Sequence, residues 1–224
     1  MVKSIRNNPR REQALTRDQI IDASIALLDS NGEGGLTFRA LAERLATGPG
    51  AIYWHVADKS DLLTAACDAI IVRTMTTPMT ATTPDDIIRS VALALFDAID
   101  ARPWVGSALH RAPGAMPMVR ILERLGQQVR ALGGPEHAQW ATVSALLSYI
   151  LGVSGQNAAN AVAGRALGGD RSALLTAVAS KWLELNPDDY PFTRSIAGQL
   201  PLHDDRLDFL AGIDLILAGI ASAR

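Results

Sequence analysis

Thr37 and Pro49 mark the starts of two short helices set close together in the chain. Threonine is a good N-cap, and Leu41 and Leu45 follow it at helical spacing, so a helix is expected over Phe38 to Leu45. Proline suits a first helical position, because its fixed φ fits there and its missing N–H would be unpaired anyway. A second helix therefore starts near Pro49 and runs to about His55. It is short, because Asp58-Lys59-Ser60-Asp61 signals another N-terminus, with Asp58 able to cap and Asp61 adding negative charge to the first turn. Two short helices joined by a tight turn, 37–45 and 49–55, have the dimensions of a helix-turn-helix. Such a unit lays its second helix in the major groove of duplex DNA and lets the first cross the backbone.

The flanking sequence supplies the rest of a small helical domain. From Thr16 onward, Ile20, Ser24, Leu27 and Leu28 share one helical face, and Asn31-Gly32 is expected to end that helix, with Gly34-Gly35 extending the break. After Asp58 a further helix carries Leu62, Leu63, Ala66, Cys67, Ile70 and Ile71. The Thr/Pro-rich stretch from Thr76 to Pro84 reads as a boundary. Beyond it, helices are expected over 85–101, 104–111, 117–132, 136–164, 172–184 and 204–222, with Leu185 to Pro201 an irregular connection holding one short helix. Ala and Leu dominate, and no β-branched run alternates strictly, so the chain reads as all-α. The organisation is a basic arm over 1–15, a three-helix helix-turn-helix domain over 16–75, and a larger helical domain over 84–224.

Composition narrows the function classes. With 48% hydrophobic and 20% charged residues, the chain is a folded globular protein. Its net charge is only −2, but the first 17 residues hold Lys3, Arg6, Arg10, Arg11 and Arg17 against Glu12, so one end alone is suited to a polyanion. The single cysteine, Cys67, rules out an internal disulfide, and its apolar neighbours make it a core thiol. The charged N-terminus lacks the apolar core of a signal peptide, and the best apolar stretch, Ala145 to Val153, is too short to span a bilayer. A cytoplasmic protein without membrane contact is expected. The four histidines, His55, His110, His137 and His203, show no metal-ligand spacing, and no nucleophile elbow or phosphate loop is present. No cofactor, metal or enzymatic activity is expected.

Chemistry on the second short helix concentrates at its end. Tyr53, Trp54 and His55 can donate to phosphates or pack against sugar and the thymine methyl. One of the two rings is expected to pack inside, and the other to reach DNA with His55. The front, Gly48-Pro49-Gly50-Ala51, has almost no hydrogen-bonding side chains, which leaves base reading to apolar contact, Arg39 or DNA shape.

Taken together, Thr37-Phe38-Arg39-Ala40-Leu41-Ala42-Glu43-Arg44-Leu45, Ala51-Ile52-Tyr53-Trp54-His55-Val56 and Lys59-Ser60-Asp61-Leu62-Leu63 closely resemble the DNA-binding domain of the TetR family of bacterial repressors. That resemblance covers roughly residues 16–72. It implies that Thr37 and Arg39 contact phosphate or base edges, that Pro49, Gly50 and Ala51 face the bases, that Tyr53 and His55 grip phosphates beside Trp54, and that Lys59 binds phosphate at a helix N-terminus. The turn departs from the family, which usually has glycine and then an aliphatic residue where this chain has Ala46-Thr47.

The second region resembles the tetracycline-repressor branch more loosely, through Arg102-Pro103-Trp104, Leu122-Glu123-Arg124-Leu125, Leu146-Leu147-Ser148-Tyr149-Ile150-Leu151-Gly152 and the stretch Phe209 to Gly219. It implies a ligand-binding and dimerisation domain whose 136–164 and 204–222 helices pair with their copies in a homodimer. The apolar character of the last helix nearly all round agrees with burial on more than one side. Effector-binding candidates are Phe96, Trp104, His110, Met116, Met118, Leu122, Tyr149, Gln156 and Asn157, apolar with a few polar groups. Met75 stands where the branch has a histidine, so a small, mainly hydrophobic effector is expected rather than Mg-chelated tetracycline. The expected partners are double-stranded operator DNA, that effector and a second copy of the chain. A second reading stays open on the sparse front of the reading helix: a small-molecule-binding or interaction module with weak or vestigial DNA binding.

Overall fold

The computed structural model describes residues 15–76, 81–166 and 171–222, and among them every regular element is a helix. The basic arm before Leu15, residues 77–80 of the Thr/Pro-rich stretch and the Gly168-Gly169 break lie outside the described residues. The chain forms two compact units, which divide after Ala66.

In the first unit, α1 (Arg17–Gly35) begins at a reciprocal cap: Thr16 Oγ1 accepts from the Gln19 N–H at 3.2 Å, and Gln19 Oε1 accepts from the Thr16 N–H at 2.9 Å. This satisfies donors that the first turn leaves unpaired. Gly32 takes φ +61°, so helical geometry breaks where Asn31-Gly32 predicts, although a further turn carries α1 on to Gly35. α2 (Phe38–Arg44) is capped by Thr37, whose hydroxyl accepts from the Ala40 N–H. α3 (Pro49–Tyr53) starts with proline at its first position, as the sequence predicts. α4 (Lys59–Thr76) begins in this unit, where Asp58 caps it through the Asp61 N–H at 2.9 Å. Ile20, Leu28, Leu36, Leu41, Ile52 and Leu62 are fully enclosed and form the core.

The turn between α2 and α3 explains the family's glycine. Ala46 sits at φ +50°, the left-handed region that glycine occupies at no steric cost and that an L side chain resists.

The second unit holds the rest of α4, then α5 (Pro84–Ala101), α6 (Pro103–Arg111), α7 (Met116–Ala131), α8 (Glu136–Ala166), α9 (Arg171–Leu183), α10 (Pro191–Ile196), a 3-10 segment over Ala197–Leu202 and α11 (Asp205–Ser222). The connection predicted after 184 does hold one short α-helix, with the 3-10 segment added. α5, α7 and α8 pack on one another, and α6 and α11 each pack on α5 and α8. Arg89 bonds Asp214 at 2.6 Å and Arg206 bonds Asp97 at 3.1 Å, so two ion pairs tie α11 to α5. α11 covers only one face within the protomer. Phe209, Ile213 and Leu217 are buried, whereas Leu207 and Leu215 stand in the open, Leu215 at 75% exposure.

Candidate nucleic-acid interface

α3 is held by one side and leaves the other bare. Ile52 is fully enclosed and Val56 nearly so, which locks the helix onto the first unit. Gly48, Pro49 and Gly50 are exposed and Ala51 is half-buried. At the far end Tyr53 is 56% and Trp54 90% exposed, and His55 is half-buried. The expected split, with one ring inside, does not occur, because Ile52 and Val56 already fill the inward positions of so short a helix. Tyr53 instead stacks flat on Phe38 of α2, with ring centroids 4.2 Å apart and planes 12° from parallel. Phe38 is not among the sequence candidates. It lies fifteen positions from Tyr53, and no local spacing rule links residues so far apart.

The Tyr53, Trp54 and His55 side chains form no hydrogen bond among the described residues, so their donors are available outward. The three other polar candidates are engaged. Thr37 serves its own cap, Arg39 Nε bonds Glu43 Oε1 at 3.0 Å across one helical turn, and Lys59 Nζ bonds the Glu33 carbonyl at 2.6 Å near the end of α1. Arg39 and Glu43 are strongly exposed, so that pair is worth little and opens readily for a phosphate. Lys59 is parked on a carbonyl at a helix C-terminus, where its charge is favoured.

In the second unit the effector candidates fall into separate places. Phe96 of α5 and Tyr149 of α8 come together through Phe209 of α11, at centroid distances of 4.7 and 5.6 Å. The Tyr149 hydroxyl donates to the Phe209 carbonyl at 3.2 Å, and burial, followed by the Asp208 carboxylate, pushes its phenol above the ordinary range. That phenol occupies the space a Cβ on Gly212 would need, so glycine there lets the Tyr149 ring lie against α11. Trp104 and Met118 are buried in their helices. His110 is exposed, with Nδ1 2.8 Å from the Gly106 carbonyl one turn back. Met116 and Gln156 are exposed, and Asn157 donates to Asp100 at 2.9 Å. Leu122 alone of the nine lines an open groove of about 490 Å³ between α7 and α8, alongside Val119, Glu123, Trp140 and Val143. Cys67 is enclosed, and burial pushes its thiol to about 12, so it is chemically inert. No group of three or more metal-ligating side chains exists among the described residues, and no helix there is long and apolar enough to cross a membrane.

An exposed, donor-bearing reading helix on a capped three-helix unit, joined to a larger helical unit, is the architecture of a helix-turn-helix transcriptional regulator. The profile of the family described as bacterial regulatory proteins, tetR family, matches residues 20–66. An HTH-type transcriptional regulator of Saccharopolyspora erythraea is 30% identical over 218 residues, 95% of this chain and 87% of that protein. A solved transcriptional regulator from Streptomyces coelicolor, described as a TetR, is 49% identical, covers 93% of this chain and 99% of its own, and superposes at a TM-score of 0.85. Tetracycline repressor class E of Escherichia coli is 31% identical over 120 residues, 53% of this chain and 56% of that protein. The chain belongs to the TetR family of bacterial regulatory proteins, and it is a DNA-binding transcriptional regulator.

Proposed function

We propose that this protein is a cytoplasmic, ligand-responsive repressor that holds double-stranded operator DNA as a homodimer and leaves it when a small, mainly hydrophobic effector binds the second unit. The observation that carries this is the bare end of α3, where Tyr53, Trp54 and His55 present unpaired donors on a rigidly packed helix. Internal packing does not account for an indole left 90% exposed on a well-packed unit. Thr37, Arg39 and Lys59 join the phosphate grip once their intramolecular partners yield, and Pro49, Gly50 and Ala51 face the bases. Dimerisation through α8 and α11 accounts for Leu207 and Leu215 on one helix and the small exposed residues Ala141, Ala145 and Gly152 on the other.

The effector acts by binding one conformational state better than another, and the coupling is reciprocal: operator and effector each weaken the other's binding. Met75 stands where the tetracycline-repressor resemblance implies a histidine, which disfavours Mg-tetracycline and favours an apolar ligand. The aromatic cluster of Phe96, Tyr149 and Phe209 and the α7–α8 groove with Leu122 supply such surfaces. Fluorescence anisotropy with duplex from the gene's own upstream region tests the DNA half. Specific binding that weakens steeply with salt is expected, and its absence favours the interaction-module reading. A thermal-shift panel tests the effector half, and stabilisation by polar metal chelators alone rules out a hydrophobic ligand.

A further inference from the structure

Where the 3-10 segment meets α11, a histidine has a carboxylate at each of its ring nitrogens. His203 Nε2 lies 2.9 Å from Asp205 Oδ1, and His203 Nδ1 contacts Asp208 Oδ2. An ionised carboxylate only accepts hydrogen bonds, and a neutral imidazole carries a single N–H. Both contacts are therefore hydrogen bonds only when the ring is the imidazolium. Take one proton away and a ring lone pair faces a carboxylate oxygen. Arg171 joins the same cluster: Nη2 donates to Asp205 Oδ2 at 2.5 Å, and Nη1 donates to the His203 carbonyl at 3.2 Å. The start of α9, the end of the 3-10 segment and the first turn of α11 thus meet at one point. With His203 charged, Arg171 and His203 balance Asp205 and Asp208; with it neutral, one carboxylate is left over.

The other charges nearby are committed elsewhere. Asp204 accepts from the Arg206 and Leu207 N–H groups, Arg206 pairs with Asp97 of α5, and Arg194 of α10 donates to the Leu183 and Leu185 carbonyls. Lys181, the other cation of α9, lies ten residues further along that helix, about 15 Å away. Towards α8, burial and then the Asp208 carboxylate raise the Tyr149 phenol, which places Asp208 beside that ring as well.

We propose that His203 is a proton-operated clasp, which fastens α9, α10 and the 3-10 segment to the first turn of α11 when charged and releases them when neutral. α9 and α10 pack on the 3-10 segment and on each other, so they form one layer for the clasp to hold. Histidine is the side chain whose charge changes near neutral pH, and this one is half-buried, open enough to exchange its proton with solvent. Falling pH closes the clasp and rising pH opens it. Asp208 precedes Phe209, so opening frees the turn that carries the ring shared by Phe96 and Tyr149. The device operates without DNA or effector.

The test is amide hydrogen exchange on the full-length protein at about pH 6 and about pH 8.5, on either side of the ordinary histidine range, expressed as protection factors. Protection over 171–183 and 197–203 is expected to fall about tenfold or more between the two, the scale of a lost charge-assisted hydrogen bond. His203→Gln should erase this step and hold protection at its high-pH level throughout. Asp208→Asn, at a side chain 59% exposed and so of little risk to folding, should shrink the step. His137→Gln, on an exposed histidine of α8, should leave it intact. Nitrogen NMR of the ring, assigned by its loss in His203→Gln, should show two protonated nitrogens at about pH 6, inside that same range. Protection that is independent of pH in the parent, a step that survives His203→Gln, or a ring with a single N–H at the lower pH overturns the clasp.

Discussion

The reading helix of the first unit and the α5–α8–α11 core of the second treat their aromatic residues in opposite ways. The first turns them outward: Trp54 is nearly free and Tyr53 lies on Phe38 at the surface, while aliphatic Ile52 and Val56 do the packing. Between α5, α8 and α11 the second turns them inward, with Phe96 and Phe209 buried and Tyr149 stacked on Phe209, although Trp140, Tyr190 and Phe192 elsewhere in that unit are exposed. Aromatic rings dominate burial energetics when enclosed, so leaving them out on a small unit forgoes stability that aliphatic residues must then supply. The head is thus committed to a partner beyond the protomer, whereas the rings of Phe96, Tyr149 and Phe209 first serve the second unit's own core. Any role they have toward an effector is combined with holding α5, α8 and α11 together.

The strongest way to break this contrast is to charge the last helix on each face. Leu217→Glu places a carboxylate at a site only 3% exposed, and the expected cost is about 3–5 kcal/mol, read as loss of cooperative unfolding or a steep fall in Tm. Leu215→Glu, on the open face, should keep its helical circular dichroism and sediment as a monomer. An intact dimer would remove α11 from the interface. Next in size, Phe209→Ala takes away the ring shared by Phe96 and Tyr149 and should cost about 3–5 kcal/mol in denaturant unfolding. A loss below about 1 kcal/mol would show the cluster to be loosely packed and open to a ligand. Smaller and opposite in sign, Ala46→Gly relieves a left-handed alanine and should stabilise the head by up to about 1 kcal/mol, measured as a raised denaturation midpoint. Smallest in stability is Trp54→Ala, expected within about 0.5 kcal/mol of the parent yet binding duplex about tenfold more weakly. A matching loss of stability would mean that the indole packs after all.

Most of the helices were legible from the sequence because their signals are local. Thr16, Thr37 and Asp58 cap, Pro49 starts a turn, Gly32 breaks one, and each acts within four residues of itself. The departure at Ala46-Thr47 was legible as well, but only the backbone gave it a cause, a positive φ. The sequence also placed Tyr53, Trp54 and His55 at the end of the reading helix. It misjudged which of them is buried, because that depends on what α1, α2 and α4 bring to the inner face.

Three matters belonged to the tertiary structure alone. The Phe38–Tyr53 stack, the Lys59 bond to the Glu33 carbonyl and the Phe96–Phe209–Tyr149 cluster join residues far apart in the chain. Periodicity on α11 showed apolar residues nearly all round, yet could not say that Leu217 faces its own protomer and Leu215 faces outward. Helical spacing reports angles around one axis. Which angle meets a neighbour is decided by where the neighbouring helices lie, and that information is carried by packing across the whole unit. The sequence by itself therefore determined the helices, their caps and the class of partner, and the packed structure decided which side chains remain free to meet that partner.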